Sequence, residues 1–252
     1  MNDEDIRRIV RERYGQRAVS GTSCCGSGCG CTPSPQDISR AIGYTEADLQ
    51  SVPEGANLGL GCGNPVALAG LREGETVLDL GCGAGFDCFL AAQRVGPTGR
   101  VIGVDMTPEM IARARDNARK GGYANVEFRL GEIEHLPAAD ASVDAVISNC
   151  VINLSPDKAA VFREAYRVLR PGGRLLVSDV VLLRPLPDVV RRSMDAYVAC
   201  VAGASLKGEY LDAIRGAGFQ DVCVVGETVY AEDDGLGIYA ASVQVEAWKL
   251  SR

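Results

Sequence analysis

One short segment, residues 77–85, constrains the fold of this chain more than any other. It reads Val-Leu-Asp-Leu-Gly-Cys-Gly-Ala-Gly, so apolar residues typical of a strand run directly into a series of alternating glycines. Glycine adopts positive φ and lets the backbone approach a ligand closely. Ligands of open α/β sheets bind at strand-to-helix turns of this kind. The segment therefore predicts a binding loop at the edge of an α/β sheet.

Strands and helices alternate on the C-terminal side of this segment, which is typical of an α/β fold with a mostly parallel, doubly wound sheet. Strands are expected over residues 76–80, 100–104, 126–129, 143–148 and 174–179. Helices are expected over residues 86–95, 108–120, 156–169, 188–203 and 207–217. The β-rich stretches 219–230 and 239–249 then predict an antiparallel hairpin that completes the sheet.

The N-terminal part of the chain shows no such alternation. Residues 3–18 predict a charged helix, and residues 20–31 predict a loop because they are rich in Gly, Ser and Cys and lack periodicity. A short helix is expected within residues 36–50. Asn64 and Pro65 are a typical N-cap and first residue of a further helix.

Charge and hydropathy argue against two classes of partner. The formal net charge is −7, and binding to nucleic-acid phosphates needs a positive field. The longest apolar runs are far shorter than the ~20 residues that a membrane-spanning helix needs. Residues 1–5 are acidic, whereas a secretory signal has a basic start and an apolar run. We therefore expect a cytoplasmic protein without membrane or nucleic-acid partners.

Two carboxylates indicate which ligand the glycine loop binds. Asp105 ends the second expected strand, where a carboxylate can accept hydrogen bonds from both hydroxyls of an adenosine ribose. A dinucleotide loop needs a third glycine where this chain has Phe86. Asp79 would also repel a phosphate, whereas it suits the ammonium of a methionine moiety. The loop therefore favours a methionine-bearing adenosine over a dinucleotide.

These features give residues 75–179 a clear resemblance to the class I S-adenosylmethionine-dependent methyltransferases, which have a Rossmann-like fold. The resemblance is carried by the glycine loop, by Asp105 and by the Leu-Arg-Pro-Gly-Gly turn at 169–173. It implies S-adenosyl-L-methionine as the cofactor, with its ribose on Asp105. The further cofactor contacts that it implies are Asp79, Gly81, Cys82 and Gly83 at the methionine end, Met106, Glu132, Ile133 and Glu134 at the adenine, and Asn149 near the methionyl group.

Ten cysteines and a single histidine, His135, restrict the metal chemistry of the chain. A mononuclear site would have to consist mostly of thiolates or carboxylates, and thiolates select soft or borderline ions. Three cysteines, Cys82, Cys88 and Cys223, are interpreted as small buried apolar residues.

Three other cysteines lie in more informative positions. Cys150 follows the fourth strand, at the sheet edge that faces the cofactor. Cys62 precedes the helix start at Asn64, where the helix dipole would lower the pKa of its thiol. Cys200 falls within the helix expected over 188–203 and on this evidence alone would be a core residue.

Three segments narrow the resemblance to the arsenite methyltransferases: residues 61–65, 148–155 and 200–204. The string Asn-Cys-Val-Ile-Asn-Leu at 149–154 is the most specific. The family implies that Cys150 and Cys200 hold trivalent arsenic and that Cys62 is a third thiol or a redox partner. It also implies a functional cysteine further upstream, for which the candidates are Cys24, Cys25, Cys29 and Cys31.

The chemistry of such a site is coherent. Trivalent arsenic prefers sulfur ligands, and three thiolates leave it with a lone pair that can attack a methyl group without a general base. The substrate would be arsenite or its thiol conjugates. Methylation oxidises arsenic, so thiols must return electrons, with glutathione or thioredoxin as the reductant.

The resemblance divides the chain into an N-terminal helix and Cys-rich arm over 1–60, a cofactor-binding core over 61–182, and a C-terminal part over 183–252 with the substrate-binding helix and the hairpin. Two alternatives stay open. A methyltransferase of another small organic molecule would commonly need a base, and His135 lies in an expected solvated loop. A thiolate metal-binding protein would use the upstream cysteine cluster for zinc or copper(I).

Overall fold

The computed structural model of the protein describes residues 2–20, 34–68, 70–230 and 238–251. In these ranges seven strands form one sheet in the order β3-β2-β1-β4-β5-β7-β6. The strands are β1 (Thr76–Leu80), β2 (Arg100–Asp105), β3 (Val126–Leu130), β4 (Val143–Asn149), β5 (Leu169–Leu182), β6 (Gln220–Val229) and β7 (Ala240–Trp248).

Strand pairing confirms the predicted fold class. The first five strands are parallel neighbours, and β7 pairs antiparallel with both β5 and β6. Strand order reverses between β1 and β4, where Leu80 lies opposite Ser148. The carboxyl ends of β1 and β4 therefore lie side by side, which brings the glycine loop next to Asn149 and Cys150.

Helices cover both faces of the sheet, as the alternating pattern predicts. Their bounds are α1 (Asp3–Ser20), α2 (Pro35–Ala41), α3 (Glu46–Ser51), α4 (Pro65–Leu68), α5 (Phe86–Val95), α6 (Pro108–Gly121), α7 (Lys158–Val168), α8 (Asp188–Arg191), α9 (Met194–Val198) and α10 (Lys207–Gly216). Among the residues that the structure describes, no helix is both long enough and apolar enough to cross a bilayer.

The single helix predicted over 188–203 is wrong. The chain forms two short helices there, α8 and α9, because the Ser193 hydroxyl accepts a hydrogen bond from the Ala196 amide and so caps a new helix. Since α9 ends at Val198, Cys200 lies in the loop that follows it rather than in a helix. This difference matters because a loop residue can adopt a backbone conformation that a helix excludes.

Candidate active site

A cavity opens at the carboxyl ends of β1, β2 and β4, where the strand order reverses. The empty space within it, including open solvent at its mouth, is about 1450 Å³. Helix α1 forms one wall through Arg7, Val10, Tyr14 and Arg17. The predicted glycine loop and two of the predicted cysteines, Cys150 and Cys200, line the same cavity.

The glycine loop adopts a backbone that only glycine accepts without strain. Gly81 has a φ of 66°, and a Cβ on it would lie 2.4 Å from Cγ2 of Val151. Gly83 has a φ of 52°, and a Cβ on it would meet only Sδ of Met110, at 4.0 Å. Both Gly83 and Met110 line the cavity, so a side chain at residue 83 would take up ligand space. The loop thus has the positive φ values that the glycines predict, and it leaves open space at Gly83 for the close approach of a ligand.

Two buried carboxylates, Asp79 and Asp87, flank the loop. The Tyr44 hydroxyl donates to Oδ1 of Asp87 at 2.5 Å, and Nδ2 of Asn149 donates to its Oδ2 at 3.1 Å. Burial raises the pKa of Asp87 to about 6, although these two hydrogen bonds lower it. Burial and the charge of Asp87 raise the pKa of Asp79 well above its usual value. A cationic ammonium would compensate the cost of burying this pair.

Asp87 was missed by the sequence analysis. It lies one residue after Phe86, in the first turn of α5, where an acidic residue is common for helix stability alone. Only its burial against Tyr44 distinguishes it from an ordinary helix-terminal residue.

The carboxylate of Asp105 is fixed by two backbone amides. Its Oδ2 accepts from Gly83 N at 3.0 Å and its Oδ1 from Thr107 N at 2.8 Å. Burial raises the pKa of Asp105, while the hydrogen bonds from Thr107 and Gly83 oppose the rise. Three other predicted cofactor residues, Met106, Ile133 and Glu134, line the same cavity as Asp105.

Glu132 lies outside the cavity that Ile133 and Glu134 line. Its carboxylate pairs with Arg11 at 3.3 Å and Arg7 at 3.7 Å. These contacts hold α1 against the loop after β3. The contact of Glu132 with the adenine stays a prediction.

Cys150 and Cys200 meet at the wall of the cavity. Sγ of Cys200 donates to the carbonyl oxygen of Cys150 at 2.9 Å, although the residues are 50 positions apart. Both residues have a left-handed backbone, with φ values of 57° and 64°. Such a conformation is uncommon outside glycine and persists where the surrounding structure enforces it, often at functional sites.

The third predicted thiol, Cys62, lies beside Cys150. The sulfurs of both residues and one carboxylate oxygen of Asp179 all lie within 4.8 Å of one another. The Cys62 amide donates to Oδ1 of Asn149 at 3.0 Å, and its carbonyl accepts from the Ser242 hydroxyl at 2.6 Å. Cys62 is buried and, unlike Cys150, does not line the cavity.

The predicted low pKa of Cys62 is wrong. Burial raises the pKa of its thiol. The helix that follows, α4, has only four residues, too short for a strong dipole to outweigh that burial.

The pKa values of the two other thiols, Cys150 and Cys200, are also raised. A hydrogen bond between the side chains of Cys150 and Cys200 lowers the pKa of Cys150, but the contact of Cys150 with the Cys62 side chain and its burial raise that pKa well above the usual value. Contact with Cys150 and burial raise the pKa of Cys200 as well. All three thiols are therefore protonated at neutral pH.

The remaining cysteines divide into three groups. Cys82 and Cys88 are buried as predicted, with Sγ of Cys88 3.2 Å from Oδ2 of Asp79. Cys223 is exposed, so its predicted burial is wrong; β6 is an edge strand, and the face that carries Cys223 is left open. The upstream candidates Cys24, Cys25, Cys29 and Cys31 lie outside the described residues. His135 is exposed, as the sequence predicts for a loop residue.

Comparison with known proteins decides the family. A methyltransferase domain family matches residues 71–218. A curated arsenite methyltransferase from Halobacterium salinarum is 52% identical over 99% of this chain and 68% of its own length. The chain belongs to the arsenite methyltransferase family. It is thus an S-adenosylmethionine-dependent methyltransferase with the Rossmann-like fold of class I.

Two further relatives of this arsenite methyltransferase family member agree. An arsenite methyltransferase from Aquipseudomonas alcaligenes is 47% identical over 86% of this chain and 62% of its own length. The crystal structure of an arsenic(III) S-adenosylmethionine methyltransferase from Chlamydomonas reinhardtii matches with a TM-score of 0.69 and 38% identity, over 87% of this chain and 75% of that one. The chain thus spans about two thirds of the length of the curated relatives it matches.

The residues of this family member fit S-adenosylmethionine. The open space at Gly83 gives room for close backbone contact, and the Asp79–Asp87 pair suits an ammonium. Asp105 presents a fixed carboxylate to the cavity for a ribose. Apolar side chains of Met106 and Ile133 offer faces for a flat base.

Proposed function

We propose that this chain transfers the methyl group of S-adenosylmethionine to trivalent arsenic held by Cys150, Cys200 and Cys62. One observation carries the proposal: the thiol of Cys200 reaches Cys150 at the wall of the cavity that the glycine loop also lines. Trivalent arsenic prefers sulfur ligands, and these thiols supply them next to the cofactor pocket.

Protonated thiols suit arsenous acid, As(OH)₃, as the incoming species. Each thiol that bonds to arsenic gives its proton to one departing hydroxide, so three As–S bonds form and three water molecules leave. A thiol conjugate of arsenite would exchange in the same way and release its carrier thiols. Because no net proton is taken up or released, the raised thiol pKa values favour this exchange.

The protein contributes mainly orientation to the methyl transfer. When bound, S-adenosylmethionine supplies a methyl group on a positively charged sulfur. Asp79 and Asp87 would hold its ammonium and Asp105 its ribose. Cys150 and Cys200, fixed by their left-handed backbones, would hold the arsenic lone pair toward the cofactor pocket. Orientation of this kind is worth roughly 7–11 kcal/mol of the activation barrier.

A thiol cycle would follow each transfer. Methylation leaves arsenic formally pentavalent and positively charged. Two of its three thiolates would then depart as a disulfide and return two electrons to it, while water takes the open position on arsenic and releases a proton. Glutathione or thioredoxin would then reduce the disulfide and be oxidised in turn. Cys62 and the upstream cysteines Cys24, Cys25, Cys29 and Cys31 are the candidates for this exchange.

The test is methylation of arsenite with S-adenosylmethionine and glutathione, followed by mass spectrometry of the arsenic products. Cys150→Ser and Cys200→Ser should each bind S-adenosylhomocysteine normally and lose methylation to the uncatalysed background. Cys223→Ser is the matched control because that thiol is exposed on β6, and it should keep full activity. Serine variants that methylate arsenite at the parental rate would exclude these thiols as ligands.

A further inference from the structure

Asp179 is a buried carboxylate for which methyl transfer provides no role. It lies on β5 with 0% of its surface exposed. Its Oδ1 accepts from Nδ2 of Asn153 at 2.8 Å and from the Val180 amide at 2.9 Å, and its Oδ2 accepts from the Tyr210 hydroxyl at 3.1 Å. All three donors are neutral, so they orient the carboxylate rather than neutralise it. Burial raises the pKa of Asp179 to about 7, although these hydrogen bonds and the charge of Lys158 lower it.

The atoms around Asp179 form a set of metal-binding donors. One of its oxygens and the sulfurs of Cys62 and Cys150 lie within 4.8 Å of one another. Ligands at the ~2.0–2.3 Å bond lengths of a tetrahedral zinc site are separated by about 3.5–3.8 Å. Small side-chain movements would therefore bring the three donors onto one ion. The sulfur of Cys200 is outside this set.

We propose that Cys62, Cys150 and Asp179 form a binding site for a divalent d¹⁰ cation of the zinc type, Zn²⁺ or Cd²⁺. The ion displaces one proton from each thiol to solvent and binds two thiolates and one carboxylate oxygen. Water completes a tetrahedral coordination. Oδ1 of Asn153, which is buried and has no hydrogen-bond partner within the described residues, can accept a hydrogen bond from that water.

In metal sites, the side chains that bind the ion are typically held in place by hydrogen bonds from neighbouring residues. Loss of such a neighbouring group commonly weakens metal binding about 10–100-fold. Asn153 and Tyr210 stand in this relation to Asp179. Tyr210 comes from α10, so the site draws on an element remote from the glycine loop.

The ion and arsenic would exclude each other, a consequence that rests on the proposed function. Both need the sulfurs of Cys62 and Cys150. They differ in the remaining ligand: arsenic takes the soft thiolate of Cys200, whereas a borderline divalent ion accepts the carboxylate of Asp179. Zinc at this site would inhibit arsenite methylation competitively.

The experiment measures Cd²⁺ and arsenite binding in the full chain with Cys24, Cys25, Cys29 and Cys31 replaced by serine, so that the upstream thiols do not contribute. Cd²⁺ is followed by its thiolate charge-transfer absorption and arsenite by equilibrium dialysis. This parent chain should bind one equivalent of Cd²⁺, and arsenite should displace it. Asp212→Asn, an exposed substitution on α10, is the matched control and should change neither affinity.

Two substitutions separate the ligands. Asp179→Asn should weaken Cd²⁺ binding at least about tenfold and leave arsenite binding within about twofold, on the scale of lost metal-site contacts. Cys200→Ser should weaken arsenite binding at least about tenfold and leave Cd²⁺ binding within about twofold. Binding of S-adenosylhomocysteine checks the fold of each variant. Tyr210→Phe, which keeps Asp179 but removes a hydroxyl that holds it, should weaken Cd²⁺ binding severalfold if Asp179→Asn does not fold.

Two results would overturn the proposal. The first is that the Asp179→Asn variant binds Cd²⁺ as tightly as the parent chain, and the second is that the Cys200→Ser variant loses both Cd²⁺ binding and arsenite binding. Failure of the proposed function gives a different pattern, in which the parent chain binds Cd²⁺ through Asp179 but does not bind arsenite, and the chain with all its cysteines does not methylate it.

Discussion

The two halves of the site, a cofactor half and a thiol half, are built in different ways. The cofactor half comes largely from one continuous stretch, residues 79–87, at the end of β1 and the start of α5. The thiol half takes its cysteines from three places, a loop before α4, the end of β4 and the loop after α9. The first half depends on local backbone geometry, whereas the second depends on distant segments packing correctly.

Asn149 joins the two halves. Its Nδ2 donates to Asp87 at 3.1 Å and to the Gly63 carbonyl at 2.9 Å, while its Oδ1 accepts from the Cys62 amide at 3.0 Å. Val151 makes a second link, since it follows Cys150 and packs against the backbone of Gly81. The comparison therefore separates residues that should affect one half from residues that should affect both.

The largest effect is expected for Gly81→Ala. Its Cβ would lie 2.4 Å from Cγ2 of Val151, and its φ of 66° disfavours alanine. A combined cost of about 3 kcal/mol should weaken S-adenosylhomocysteine binding roughly 100-fold. Displacement of Val151 should weaken arsenite binding too. Calorimetric titration with each ligand measures both effects.

Gly83→Ala is the comparison variant, because its Cβ would project toward Met110 rather than toward the thiols. It should weaken cofactor binding and leave arsenite binding intact. Equal loss of arsenite binding in both variants would mean that the two halves cannot be separated through the loop.

The next effect concerns Asn149. Asn149→Asp keeps the oxygen that accepts from Cys62 but replaces the donor to Asp87 with a second acceptor. Cofactor binding should weaken about tenfold, equivalent to ~1.4 kcal/mol, with arsenite binding much less affected. Asn149→Ala removes both contacts and should weaken both ligands. If Asn149→Asp reduces arsenite affinity as strongly as Asn149→Ala, the acceptor is not what supports Cys62.

The halves should also differ in pH dependence. The pKa of Asp87, raised to about 6 by burial, exceeds its ordinary 3.8, so the folded protein binds this proton more tightly than the unfolded chain. The raised pKa of Asp87 therefore adds up to about 3 kcal/mol to the free energy of unfolding below pH ~4. This contribution is lost as the pH rises through 6. Cofactor affinity should rise over the same window, because the ammonium needs an ionised partner.

Arsenite binding should stay constant between pH 5 and 6, since thiols exchange with As(OH)₃ without net proton transfer and burial raises the pKa of the neighbouring Asp179 to about 7, above this range. Chemical unfolding and ligand titrations of the wild type and Asp87→Asn test this contrast. In Asp87→Asn, the loss of stability and the rise in cofactor affinity with increasing pH should both disappear. A pH-dependent arsenite affinity in that variant would contradict the exchange of protonated thiols.

The smallest effect is expected for Arg11→Ala, which removes a partly exposed ion pair between α1 and Glu132. Such pairs contribute about 0–1 kcal/mol, so cofactor affinity should fall less than about fivefold. Arsenite affinity should not change. A larger loss, seen in the cofactor dissociation rate, would show that α1 has a greater part in closing the cavity than this ion pair indicates.

The two halves also differ in how far they could be predicted. The roles of Gly81 and Gly83 in the turn follow from residue type, because glycine at alternating positions after an apolar strand has few other uses. Asp87 and Asp179 carry no such signal, since an acidic residue at a helix start or at the end of an apolar strand is common on a surface. Their burial depends on Tyr44 and Tyr210, which come from distant segments.

The sequence by itself determined the parallel sheet with its closing hairpin and the glycine loop, because strand alternation and glycine conformation are local properties. Tertiary structure alone decided the high pKa of Cys62, the left-handed backbones of Cys150 and Cys200, the exposure of Cys223 and the place of Asp179 beside two sulfurs. The physical reason is that burial, electrostatic environment and contact between remote residues arise only when separate segments pack together.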